Sequence, residues 1–135
     1  MERAVRTLVL SAVLAGVFAP TIVRAHHSFA MFDLNSPLTM TGTVTAFQWT
    51  NPHAYIELDV PGAGGGVQHW TIELGSPSIL MQAGWTFKDL KYGDRVTVIV
   101  SPLRSKKPGA LLSKITMPDG RVLGNGPLPI GGNAK

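Results

Sequence analysis

Residues 53–74, HAYIELDVPGAGGGVQHWTIEL, decide the fold. Ala54, Ile56, Leu58 and Val60 alternate with His53, Tyr55, Glu57 and Asp59; beyond the turn, Trp70, Ile72 and Leu74 alternate with His69, Thr71 and Glu73. A period of two sends successive side chains to opposite faces of a strand. Pro61 to Gly66 (PGAGGG) is a flexible connection, so the stretch predicts a β-hairpin. If Ile56 and Leu58 share a face with Trp70 and Ile72, a slip of one residue drives an apolar set into water. His53, Glu57, His69 and Glu73 then share the opposite face. The expected register sets His69 across from Glu57 and His53 across from Glu73, with Cβ atoms about 4.5–5.5 Å apart.

The same alternation extends outward. Leu38, Met40, Gly42, Val44 and Ala46 alternate with four threonines, which predicts a half-buried strand with a bulge or bend at Gly42. Asn51-Pro52 breaks it and leads into His53 as a rigid entry turn. Downstream, Ser76 reads as an N-cap, Pro77 as the first helical residue and Gly84 as the stop; Trp85 to Leu90 extends this as a further turn. Strands follow at Arg95 to Val100, Leu111 to Met117 and Val122-Leu123, the last after a Pro118-Asp119-Gly120 turn. Five or six short strands, with one short helix between strands 3 and 4, predict a mainly β chain forming a small OB-like β-barrel. An open β-sandwich is the alternative. The chain divides into a leader (1–25), a lead-in (26–37) with Phe29, Met31, Phe32 and Leu34 as docking residues, the barrel (38–123) and a tail (124–135).

Composition agrees with one small β domain. The chain has 135 residues, 44% hydrophobic and 15% charged, with ten prolines and fifteen glycines, a profile unlike a disordered tail or a helical bundle. It has no cysteine, which excludes disulfides, thiol catalysis and zinc–cysteine or iron–sulfur sites. With 7% aromatic residues and a mild positive charge, the expectation is no nucleic-acid partner, despite the barrel.

The N-terminus reads as an export signal. Arg3 and Arg6 precede the apolar run Thr7 to Phe18 (TLVLSAVLAGVF). At ~1.5 Å per residue this run is too short for a hydrocarbon core of about 30 Å. Cleavage after Ala19 places Pro20 first, a poor fit to a protease that binds extended chain. Cleavage between Ala25 and His26 has small residues where they are needed. The expectation is a periplasmic product starting at His26, mildly basic, with no stable membrane span after cleavage. Its basic residues are scattered except for Arg104, Lys106 and Lys107 in a proline-flanked loop, which reads as a solvated loop able to touch phosphate or lipid headgroups.

All four histidines precede residue 70. A free α-amine on His26 could chelate a metal with its own ring, and His27 adds a second imidazole. An amine of pKa about 7.7–8.0 and imidazoles near 6.5 suit a borderline ion, with Cu(II) favoured over Zn(II) and Ni(II). The candidate metal ligands are His26, His27, His53 and His69; Tyr55, Glu57 and Glu73 are candidate ligand-binding residues. The plainer alternatives are a frayed terminus and a solvated polar face with histidine–carboxylate pairs. No catalytic residue is assigned. An enzyme needs a pocket that brings Glu57 or Glu73 near a histidine, and Gly75-Ser76-Pro77-Ser78 is better explained as a helix start than as a nucleophile elbow.

The runs Ala25-His26-His27-Ser28-Phe29, Gly42-Thr43-Val44, Trp49-Thr50-Asn51-Pro52-His53, Glu73-Leu74-Gly75-Ser76-Pro77, Gly84-Trp85 and Gly93-Asp94-Arg95-Val96 resemble a family of short exported bacterial proteins of unknown function. The resemblance covers nearly the whole mature chain, and its most specific parts are the His-His-Ser start and the Asn-Pro-His turn. It implies a periplasmic small β-barrel and no established activity. The glycine-rich turn at Gly64 to Gly66 departs from the Asp-Gly type expected there. The leading expectation is a periplasmic protein holding a divalent metal, most plausibly copper, through its N-terminal histidines, with or without His53 and His69. The alternative is a non-metal small-ligand or adaptor module of the cell envelope, with an unknown envelope partner.

Overall fold

The structure is a computed structural model that describes residues 29–126. Alternating apolar residues form strands β1 (Leu38–Gln48), β2 (Tyr55–Pro61), β3 (Val67–Glu73), β4 (Arg95–Pro102), β5 (Gly109–Thr116) and β6 (Val122–Gly124). A short helix α1 (Pro77–Gln82) lies between β3 and β4. The strands pair in the order β3-β2-β1-β4-β5-β6, and β3 also pairs with β5. That last, parallel pairing sets Thr71 opposite Gly109 and Glu73 opposite Leu111. It closes β1 to β5 into a five-stranded barrel, with β6 added outside β5. The OB-like barrel with its single helix is therefore the fold.

β1 is long because it serves two partners. Its first half pairs with β4, from Leu38 opposite Val100 to Thr43 opposite Arg95. Its second half pairs with β2, from Thr43 opposite Asp59 to Gln48 opposite Tyr55. The register shifts between Val44 and Ala46, so the bulge lies at Thr45 and not at Gly42. Gly42 answers a different demand. A Cβ there would lie 2.5 Å from the Asp59 carbonyl oxygen and 2.8 Å from Leu58 Cγ, so the bend brings β2 over β1 too closely for any side chain.

The inward residues make one core. Val44, Ile56, Leu58, Ile72, Val98, Val100 and Ile115 are fully buried, each worth roughly 1.5–3 kcal/mol relative to an exposed side chain. Leu80 of α1 and Trp85 join them, so the helix and the turn after it close one side of the barrel. Ser76 Oγ accepts from the Ile79 amide at 3.4 Å, and Pro77 follows the cap, as the sequence predicts.

The hairpin keeps the predicted parity but moves by two residues. Tyr55 lies opposite Glu73, Glu57 opposite Thr71 and Asp59 opposite His69. His53 precedes β2, which starts at Tyr55. The pairings of His69 with Glu57 and His53 with Glu73 are corrected accordingly. Both registers turn Ile56, Leu58, Trp70 and Ile72 to the same, inward side, so the apolar pattern does not choose between them.

The lead-in packs on the barrel. Phe29–Met31 forms one 3-10 turn, Phe32 is buried and bridges to Leu103, and the Asp33 amide donates to Pro102 O at 2.8 Å. The expected tail begins within the fold: Gly124 ends β6, and buried Asn125 accepts from the Gly75 amide at 2.7 Å. The expected leader, His26, His27 and residues 127–135 lie outside the described residues. Among the described residues no helix is long and apolar enough to cross a membrane.

Candidate functional site

The histidines of the hairpin occupy two different environments. On the outer face, His69 Nδ1 lies 2.8 Å from Asp59 Oδ1 and Nε2 lies 3.0 Å from Glu57 Oε2. Carboxylates only accept, so satisfying both contacts requires a proton on each ring nitrogen. Glu57 is further held by Thr71 Oγ1 at 2.8 Å and Gln48 Nε2 at 3.2 Å. The hydrogen bond to Asp59 raises the His69 pKa above its usual value; partial burial opposes it, and Glu57 adds to it. Asp59, a partner the sequence reading did not single out, is brought in by the two-residue shift of register.

This cluster stabilises the fold in one direction of pH. His69 has a raised pKa in the folded state, so its contribution is complete below an unfolded value of about 6.5. It is lost as pH rises through the folded value. His69 has a side chain 55% exposed, so solvent screening keeps the effect small. An NMR titration of the imidazole is expected to give a pKa above that of a free histidine, falling toward it in Asp59→Asn. An unshifted His69 in the parent protein would contradict the clamp.

His53, just before β2, has different neighbours. Thr50 Oγ1 donates to His53 O at 2.8 Å, and the hairpin continues past β2 through Ala54 N to Gly75 O at 3.0 Å and Leu74 N to Ala54 O at 2.9 Å. This framework directs the ring so that Nδ1 meets Leu74 O at 3.0 Å. A carbonyl cannot donate, so Nδ1 carries the proton in this contact. Glu73 Oε1 is 3.5 Å from the same Nδ1.

The ring stands in the wall of a cavity of about 250 Å³. Glu73, Ser76 and Asn125 supply its polar groups; Phe29, Pro52, Leu74, Ile79 and Leu111 make most of the rest. Phe29 was legible as a docking residue. Asn125 was not, because it sits between two glycines and gains its role only through Gly75, fifty positions earlier. Tyr55, opposite Glu73, has its hydroxyl pKa raised by burial and then by the Glu73 charge. Ser76 Oγ is engaged by the Ile79 amide and lies 3.0 Å from Ser78 Oγ, the geometry of a cap and not of a nucleophile.

The predicted ligands therefore divide. His53 and Glu73 meet at the pocket, whereas His69 and Glu57 meet on the outer face with Asp59. Among the described residues no group of three histidine, aspartate or glutamate side chains is arranged to hold a metal ion.

No curated protein matches the chain. Solved structures similar to it include the mitochondrial single-stranded DNA binding protein Rim1 of S. cerevisiae in two crystal forms. One is 15% identical with a TM-score of 0.47, over 67% of this chain and 96% of that one. The other is 14% identical with a TM-score of 0.45, over 69% and 98%. The likeness is one of fold. This finding corrects the expectation of no nucleic-acid partner, and that exclusion is withdrawn. Residues 14–112 match the family of unknown function DUF6152. The match spans most of the sequence, and the chain belongs to that family.

Proposed function

We propose that this barrel is a periplasmic binding protein whose site is the His53 pocket, and that the site takes a divalent transition metal, copper first, together with His26 and His27. One observation carries the reading: Phe29, two residues after His27, lines the same pocket as His53. The ring geometry of His53 supports it, since a metal-ligating histidine commonly donates its other N–H to a backbone carbonyl. His69 is left out of the set because both its nitrogens face carboxylates. The export reading of Thr7 to Phe18 supplies the compartment and frees the His26 amine on cleavage after Ala25.

The test uses protein exported with its own leader, its first residue verified by mass spectrometry, and titrated with copper. One equivalent is expected to bind. Loss of an outer partner of a metal ligand alone costs about 10–100-fold in affinity, so His53→Ala is expected to weaken binding at least about tenfold. His69→Ala is expected to leave it unchanged. One residue added before His26 is expected to abolish the amine's share; binding unchanged by both this extension and His53→Ala overturns the reading.

The apolar walls favour a second reading, a small apolar ligand oriented by Glu73 and Asn125. It requires function to survive a His26→Ala, His27→Ala double variant, which the copper reading does not.

A further inference from the structure

The basic loop after β4 is not used by the pocket. Arg104, Lys106 and Lys107 lie in the turn that joins β4 to β5, and this turn is locked to the lead-in. The Arg104 amide donates to Met31 O at 2.9 Å, its Nε donates to Ala30 O at 3.0 Å, and NH1 lies 3.9 Å from Asp33 Oδ1. Arg104 is thus pinned, with Asp33 as its counter-ion. Among the described residues neither Lys106 nor Lys107 makes an ion pair. Within the turn, the Lys106 amide donates to Leu103 O at 3.1 Å and the Gly109 amide to Lys107 O at 2.8 Å.

The lead-in to which this turn is tied leaves apolar side chains in water. Met31 is 48% exposed, Leu34 50% and Leu38, at the start of β1, 42%. The turn and the lead-in together therefore carry two cations with no ion pair among the described residues and three exposed apolar side chains. Lys106 itself has φ 64°, a left-handed conformation that glycine or asparagine would adopt more readily.

We propose that this rim docks on an anionic phospholipid surface, with Lys106 and Lys107 at headgroup phosphates and Met31, Leu34 and Leu38 at the headgroup–acyl boundary. The charge argues for an anionic lipid surface over a neutral apolar partner, because two cations with no ion pair among the described residues attract anionic headgroups. Juxtamembrane lysines each gain roughly 1 kcal/mol at an anionic leaflet, and the mixed basic–apolar composition is that of an interfacial contact. None of these side chains lines the His53 pocket, so the two proposals are tested separately.

Co-sedimentation of the full exported product with vesicles tests it. Vesicles of phosphatidylglycerol and phosphatidylcholine are expected to bind the protein, less so as salt rises, and pure phosphatidylcholine much less. Lys106→Ala with Lys107→Ala is expected to lower partitioning about tenfold or more. Met31→Ser with Leu34→Ser is expected to lower it at constant charge, and His53→Ala to leave it unchanged. These positions are exposed, and an unchanged thermal melt verifies that each variant is folded. Equal binding to both vesicle types overturns the proposal, as does binding unaltered by both double variants. So does a single-stranded oligonucleotide bound through Lys106 and Lys107 when vesicles are not.

Discussion

Trp85→Ala is expected to destabilise the barrel by about 3–5 kcal/mol, a large share of the 5–15 kcal/mol that roughly bounds a domain's stability. Trp85 is 1% exposed, and its ring packs against Phe47 with centroids 5.9 Å apart. Its Nε1 donates to Gly124 O at 2.7 Å. One side chain thus plugs the core beside α1 and ties down the end of β6. Trp85→Phe separates the two roles. It keeps an aromatic ring in the core but leaves Gly124 O without its donor, at a cost of about 1–3 kcal/mol. Urea unfolding of the three proteins measures this, with the order parent, phenylalanine, alanine. An alanine variant as stable as the phenylalanine variant would contradict the packing role.

Gly42→Val is expected to be as damaging, for the opposite reason. A Cβ at Gly42 meets the Asp59 carbonyl oxygen at 2.5 Å and Leu58 Cγ at 2.8 Å. The first of these is backbone, which has no rotamer to escape into. Overpacking of this kind costs about 1–3 kcal/mol and sometimes more; the branched side chain and the close approach of the neighbouring strand β2 put this case at or above about 3 kcal/mol. Gly64 is the control. It sits in the β2–β3 turn with nothing within 4 Å of a built Cβ, so Gly64→Ala is expected to change stability by at most about 0.5 kcal/mol. If the same urea measurement finds Gly42→Val as harmless as Gly64→Ala, the close approach of β2 to Gly42 is wrong.

The strands were legible because period two and threonine-rich outer faces are local signals. Ser76, Pro77 and Gly84 marked the helix by equally local chemistry. Register was not legible. Every even-sum pairing of β2 with β3 buries the same apolar set, and the PGAGGG turn is too permissive to choose one. That ambiguity hid Asp59 and assigned His69 the wrong opposite neighbour, although its contact with Glu57 survives along the diagonal. Barrel closure was also invisible locally, since Thr71 meets Gly109 through a parallel pairing between distant strands. The pocket suffered for the same reason. Its wall gathers Phe29, His53 and Asn125 from three separated parts of the chain, and no spacing rule links them.

The most direct measurement of the proposed site is electron paramagnetic resonance on copper-loaded protein with a verified His26 terminus, with pulsed detection of imidazole nitrogens. The account predicts a single Cu(II) species with nitrogen coordination, an imidazole signal that diminishes in His53→Ala, and a spectrum unaffected by His69→Ala. A spectrum identical in the parent and His53→Ala, or one that changes only with His69→Ala, would contradict it.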